Sequence, residues 1–133
     1  MKQVNFNDDP RLGLDLCIET GTAVKIGKQW GIIDEVFEGQ GYGFVTSDGN
    51  GWEGRMITGS QLTEIEILSE QNDINRAKKA AVEYFILEGE SLARRMGMMY
   101  ENDDPQRLQE MLDYCLLWIG KIGSTLTTGE NAK

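Results

Sequence analysis

The chain has 133 residues, no histidine, 16 glycines against 2 prolines and a formal net charge of −9. A chain of this length can bury a core without disulfide or metal staples. Without histidine there is no Ser-His-Asp or Cys-His catalysis and no histidine-ligated zinc, and two cysteines are too few for an all-cysteine zinc site. The acidic charge disfavours nucleic acid as a partner. We therefore expect a protein that is not an enzyme and has no catalytic residue, no cofactor and no metal.

Glycine marks turns and weakens helices, and its distribution divides the chain into two halves. Eleven of the 16 glycines lie between Gly13 and Gly59, whereas the segment 69–101 contains only Gly89 and Gly97. This shift predicts a β half followed by an α half, and therefore the α+β class. The predicted parts are an N-terminal segment with a strand (1–20), a small antiparallel β-barrel (21–68), an antiparallel helical hairpin (69–124) and a disordered tail (125–133).

Short runs with apolar alternation predict six strands in chain order. The first, at 12–18, is compatible with a strand that joins the barrel and with one that crosses to a neighbouring subunit. A turn of 59–62, one turn of 3₁₀ helix at most, precedes the last strand. The other five strands are expected at 23–26, 30–37, 42–46, 52–57 and 63–68.

Strands this short, joined by tight turns, favour a small barrel over an open sheet. The segments that carry a more specific likeness are Val24-Lys25-Ile26-Gly27, Gly31-Ile32-Ile33, Tyr42-Gly43-Phe44-Val45 with Asp48-Gly49, the turn around Leu62, and Ile65-Glu66-Ile67. Their order resembles the five-strand small barrel of the KOW and Tudor-like type over residues 21–68. The resemblance implies a recognition module, since such barrels mostly bind nucleic acids, peptides or proteins. Lys25, Lys28 and Arg55 are the only basic residues of this stretch, a departure from the members that bind nucleic acid.

The α half shows helical periodicity. Apolar residues recur at spacings of three, four or seven from Ile74 to Met99, and a second stripe runs from Leu108 to Ile122. Each stripe predicts one face of a helix. Asp104, directly before a proline, is a good N-cap for the second helix. The short link between the stripes predicts an antiparallel pair.

Both predicted helices also carry consecutive apolar residues, at 84–87 and at 116–119. A helix with such a run is apolar on more than one side, and a pair of helices cannot enclose a core alone. We therefore expect a homo-oligomer that forms through the helices. Gly120 and Gly123 are expected to end the second helix, with a disordered tail from residue 125.

The candidate ligand site combines aromatic residues, glycine-rich strands and arginine. If the strands at 42–46 and 52–57 pair, aromatic faces and the guanidinium of Arg55 lie side by side and can hold a flat ring and an anion or carboxylate. The alternative is that the aromatic residues fill the barrel or its seam with the helices, and that the adjacent arginines are a solvated helix end. The predicted ligand-binding residues are Tyr42, Phe44, Trp52, Arg55, Arg94 and Arg95.

Three functions follow from this pattern. The first is an oligomeric binding protein, of the sequestering or inhibitor type, that captures a small anionic or aromatic ligand such as a nucleotide-like molecule. The second is an acidic protein-interaction module, or nucleic-acid mimic, that blocks a basic protein partner. The third and least favoured is a hydrolase with a carboxylate-bound metal. No apolar signal core follows Met1 and no run reaches the length of a membrane span, so we expect a cytoplasmic protein without a membrane partner.

Overall fold

The structure is a computed structural model that describes residues 18–48, 51–98 and 104–131, the last five of them as backbone only. The α+β class is confirmed, and so are the five strands predicted after residue 20. The strand predicted at 12–18 lies outside the described residues except for Ile18. In chain order the elements are β1 (Ala23–Ile26), β2 (Gln29–Phe37), β3 (Gly41–Ser47), β4 (Trp52–Thr58), a 3₁₀ helix (Gly59–Glu64), β5 (Ile65–Ile67), α1 (Gln71–Met98) and α2 (Pro105–Asn131).

The five strands form one antiparallel sheet in the order β4-β3-β2-β1-β5. The short β5 pairs with β1, where Val24 lies opposite Ile67 and Ile26 opposite Ile65. β4 pairs with β3, and no ladder joins β4 to β5 in the described part of the chain. The predicted barrel is therefore an open sheet.

One face of the sheet encloses the first hydrophobic core. Alternation along each strand places every second side chain on this face. Because all five strands contribute to one cluster, the sheet curls around it, and the 3₁₀ helix supplies a further side chain. Full burial of one large apolar side chain stabilises the fold by about 1.5–3 kcal/mol. The cluster contains Ile18, Val24, Ile26, Ile33, Tyr42, Phe44, Ile57, Leu62 and Ile65.

The helical hairpin covers the opposite face of the sheet. Ile32 and Val45, which alternate with residues of the first core, belong to a second cluster with Phe85 of α1 and Trp118 of α2. The rings of Phe85 and Trp118 stack with centroids 5.9 Å apart and planes 3° from parallel. Early residues of α1 meet late residues of α2, so the predicted antiparallel hairpin is confirmed. Within the described helices, no stretch is both long enough and apolar enough to cross a membrane.

The start of α2 is as predicted and its end is not. Asp104 Oδ1 accepts hydrogen bonds from the backbone nitrogens of Gln106 (3.1 Å) and Arg107 (3.3 Å), which is the N-cap arrangement. The helix does not end near Gly123, and the expected disordered tail from residue 125 is replaced by helical backbone as far as Asn131. One glycine inside a helix costs only about 1 kcal/mol. The buried Ile122 and the partly buried Leu126 continue the apolar stripe and offset that cost.

Candidate functional site

Two of the predicted ligand-binding residues lie in the first core. Tyr42 is 3% exposed and Phe44 is fully buried. Their rings offer no open face to a ligand, which agrees with the alternative that they fill the barrel.

Arg55 lies next to Phe44 at the edge of this core. Its guanidinium carbon lies 5.5 Å from the centroid of the Phe44 ring. Nε lies 3.3 Å from Glu53 Oε2, and Nη2 donates to Gln29 Oε1 at 2.6 Å. Gln29 Nε2 in turn donates to Glu53 Oε1 at 3.1 Å. The guanidinium is therefore already engaged by a carboxylate and an amide.

The remaining predicted residues lie elsewhere. Trp52 is on the opposite face of the sheet, where its indole Nε1 donates to Glu88 Oε1 of α1 at 3.0 Å. Arg94 and Arg95 are exposed near the end of α1. Ten residues of helix, about 15 Å, separate Arg94 from Tyr84, the α1 residue that lies over β4. The structure therefore does not bring the six residues together.

A different site lies between the sheet and the two helices. It is a cavity of about 440 Å³, which we call the tyrosine cleft. An adjoining depression of about 240 Å³ over the sheet shares Glu35 and Tyr84 with it and adds Asp34. The lining of the cleft includes Glu35, Tyr84, Phe85, Glu88, Arg107, Glu110, Tyr114 and Cys115.

Two features of the sheet make room for this site. The register of β2 against β3 shifts between Ile33 and Glu35, and such a bulge redirects the side chains beside it. Gly43 lies next to the bulge, where an added Cβ would be 2.7 Å from Asp34 Oδ1. At Gly54 an added Cβ would be 2.8 Å from the Tyr84 hydroxyl. These two glycines let the Asp34 carboxylate and the Tyr84 hydroxyl lie directly on the sheet.

The Asp34 carboxylate is tied to α2. The Tyr114 hydroxyl donates to Asp34 Oδ2 at 2.8 Å and lies 3.2 Å from the backbone oxygen of the same residue. Burial raises the pKa of Asp34 above its ordinary value of 3.8, although the hydrogen bond from Tyr114 opposes that shift. No lysine or arginine of the described residues forms an ion pair with it.

Neither the tyrosines nor the thiol of the cleft ionises at neutral pH. Burial and then nearby carboxylates raise the pKa of Tyr84 and Tyr114 well above the ordinary value of 10.0. Burial, with a contribution from Glu88, raises the pKa of Cys115 to about 11. A thiol in this state is a poor nucleophile. The tyrosines act as hydrogen-bond donors and aromatic walls.

The cleft combines an aromatic floor with acidic walls. Phe85 packs edge-on against Tyr84 (5.0 Å) and Tyr114 (6.1 Å). Three glutamates and one arginine line the cleft. The adjoining depression adds the Asp34 carboxylate and Arg55, whose guanidinium is engaged by Glu53 and Gln29. Over the described ranges, no three cysteine or acidic side chains come close enough to hold a metal ion. Such an arrangement suits a cationic group that donates hydrogen bonds.

The local sequence predicts only some of the contacts that form this site. Regular alternation predicts that Asp34 and Glu35 face opposite sides of a strand, whereas at the bulge both border the same depression. Tyr84, Glu88 and Tyr114 come from two helices and meet β2 only through tertiary packing. Trp52, a predicted residue, is connected to the cleft through Glu88.

Comparison with protein-family models finds no match, and neither do comparisons with curated proteins and with solved structures.

Proposed function

We propose that the protein is a non-enzymatic binding module whose tyrosine cleft, together with the adjoining depression at Asp34, receives a lysine or arginine side chain of a basic protein partner. The observation that carries this proposal is the half-buried Asp34 carboxylate, which has a tyrosine hydroxyl but no described cation as a partner. A buried carboxylate without a counter-charge is unfavourable, and a bound cation removes that penalty.

The surroundings of Asp34 favour a cation for two further reasons. Aromatic rings attract ammonium and guanidinium groups that lie over their faces, and Tyr84 and Tyr114 both line the cleft. The net charge of −9 also attracts a basic protein over longer distances and raises the association rate.

Capture of a small nucleotide-like ligand has less support. Of the residues predicted for it, Tyr42 and Phe44 are buried, and Arg55 is held by Glu53 and Gln29. The acidic lining of the cleft repels phosphate.

Self-association through the helices is a second proposal, and it is compatible with the first. Leu116 and Leu117 of α2 are 57% and 58% exposed, and no element of the described chain covers them. A second copy of the chain is the partner that the apolar runs of the helices predict.

The first proposal is tested by Asp34→Asn, with binding of hexa-arginine and hexalysine peptides measured by calorimetry. Asparagine keeps an oxygen that accepts the Tyr114 hydroxyl, so the change removes charge and little else. We expect at least a tenfold loss of affinity, because removing one partner of a desolvated charge pair has a large effect.

The matched control is Glu64→Gln. Glu64 is exposed at the end of the 3₁₀ helix and does not line the cleft, so this change has the same effect on net charge. We expect its affinity to stay within twofold of the parent. Equal losses in the two variants would mean that the peptides respond to overall charge, and the proposal for the cleft would be wrong.

A further inference from the structure

A smaller cavity, separate from the tyrosine cleft and its adjoining depression, lies where the turn before β1 meets the helical hairpin. Its volume is about 180 Å³. Lys78 comes from α1 and Lys121 from α2, so lysines of two different helices line the cavity. The lining includes Thr20, Gly21, Lys78, Trp118, Lys121 and Thr125.

Contacts with neutral groups position both lysines. Lys78 Nζ donates to Thr125 Oγ1 at 3.0 Å. Lys121 Nζ lies 4.5 Å from the centroid of the Trp118 ring, and the same ring stacks on Phe85. No carboxylate lines the cavity, and neither lysine takes part in an ion pair with a described residue.

We propose that this cavity binds a phosphate group. Two lysines line this cavity without a carboxylate beside them, and lysine is a common phosphate ligand. The Thr20 hydroxyl adds a hydrogen-bonding group. A volume of about 180 Å³ corresponds to roughly six water molecules, which is space for a phosphate group but not for a nucleobase in addition. Trp118 is only 5% exposed, so stacking of a base on its ring is not expected.

The other basic cavity of the described chain is a weaker candidate. It surrounds Trp30, whose ring lies 4.2 Å from the guanidinium carbon of Arg76. Asp48 and Glu83 line this cavity together with the basic residues. Its positive charge is therefore largely balanced within the chain.

The test is calorimetric titration of the full chain with inorganic phosphate and with O-phosphoserine, in chloride of matched ionic strength and with serine as a blank. We expect saturable binding by the parent and at least a tenfold weaker affinity for Lys121→Gln, because a charge-assisted hydrogen bond is lost. Lys121 is exposed, so this variant keeps its fold. Lys78→Gln is the second variant and should show a similar loss.

The control is Lys28→Gln, which removes the same charge from the cavity at Trp30. Unchanged phosphate affinity in this control supports the proposed site. Binding that does not saturate, or that Lys121→Gln leaves unchanged, would overturn the proposal. Tighter binding of inorganic phosphate than of phosphoserine would identify the free ion as the ligand, and tighter binding of phosphoserine would identify a phosphomonoester. The inference is independent of the tyrosine cleft, since Asp34→Asn should bind phosphate as the parent does.

Discussion

The Asp34 carboxylate lies at a β-bulge, where burial raises its pKa above 3.8 and the Tyr114 hydroxyl compensates only in part. The folded state therefore binds the Asp34 proton more tightly than the unfolded state does. By linkage, the free energy of unfolding falls as pH rises through these pKa values, and the full penalty is present above the folded-state pKa. Asp34 therefore lowers stability at neutral pH, and under the proposed function a bound cation offsets this penalty.

The upward shift of the Asp34 pKa leads to a prediction for stability. Asp34→Asn should be at least as stable as the parent at pH 7, and the difference between the two should shrink as pH falls toward 3.8. Urea unfolding of both proteins at pH 7 and pH 4 measures it. A variant that is clearly less stable at pH 7 would mean that the charge of Asp34 stabilises the fold, against the direction of its pKa shift.

For individual residues, the sequence predicts which side chains are buried better than it predicts which ones form the tyrosine cleft. The alternation of Tyr42 and Phe44 with smaller residues allowed them to be core residues, and the structure places them in the core. The contact between Asp34 and Tyr114 joins residues 80 positions apart, and it depends on a bulge that no regular period indicates.

The observed limits of the strands agree closely with the predicted ones where a single hydrophobic period dominates the segment. The strands from residue 23 onward begin and end within about two residues of their predicted limits, because turn residues separate short alternating runs. The predicted end of α2 is wrong, because glycine disfavours helix and Gly120 and Gly123 therefore indicate a helix end. Helix formation there depends on the continuing apolar stripe, and Leu126 is part of it.

Gly120 allows a direct test of this explanation. An added Cβ at this position meets nothing within 4 Å, and its φ is not positive. Gly120→Ala should therefore raise the free energy of unfolding by about 0.5–1 kcal/mol, measured by urea titration.

The matched control is Gly27→Ala in the turn between β1 and β2. An added Cβ there is equally free of contacts, but φ is +63°. Left-handed backbone is unfavourable for alanine, so this variant should lose about 1–2 kcal/mol. A loss in both variants would mean that the added Cβ meets a contact outside the described chain, as it would if Gly120 lay in the proposed interface with Leu116 and Leu117.

In the described part of the chain the sheet carries hydrophobic clusters on both faces, and the helices cover its outer face. This arrangement buries Phe85, Cys115 and Trp118, but it leaves Leu116 and Leu117 in solvent. Within one chain, Trp118 of the apolar run at 116–119 is therefore buried, whereas Leu116 and Leu117 are not. A standard interface buries about 800 Å² of each partner, roughly a tenth of the 8395 Å² surface of the described chain.

The exposed part of this run leads to the prediction for the assembly. The parent should form a dimer or a larger oligomer at micromolar concentration, and the double variant Leu116→Gln and Leu117→Gln should be a monomer, because the change removes two large apolar side chains from the proposed interface. Light scattering coupled to size-exclusion chromatography measures both masses.

Val36→Gln is the control, since Val36 is 45% exposed on β2, away from the helices, and its loss should leave the mass unchanged. A parent that is monomeric at 100 µM, a concentration about a hundredfold above a dissociation constant of 1 µM, would show that the exposed leucines serve no stable contact between copies.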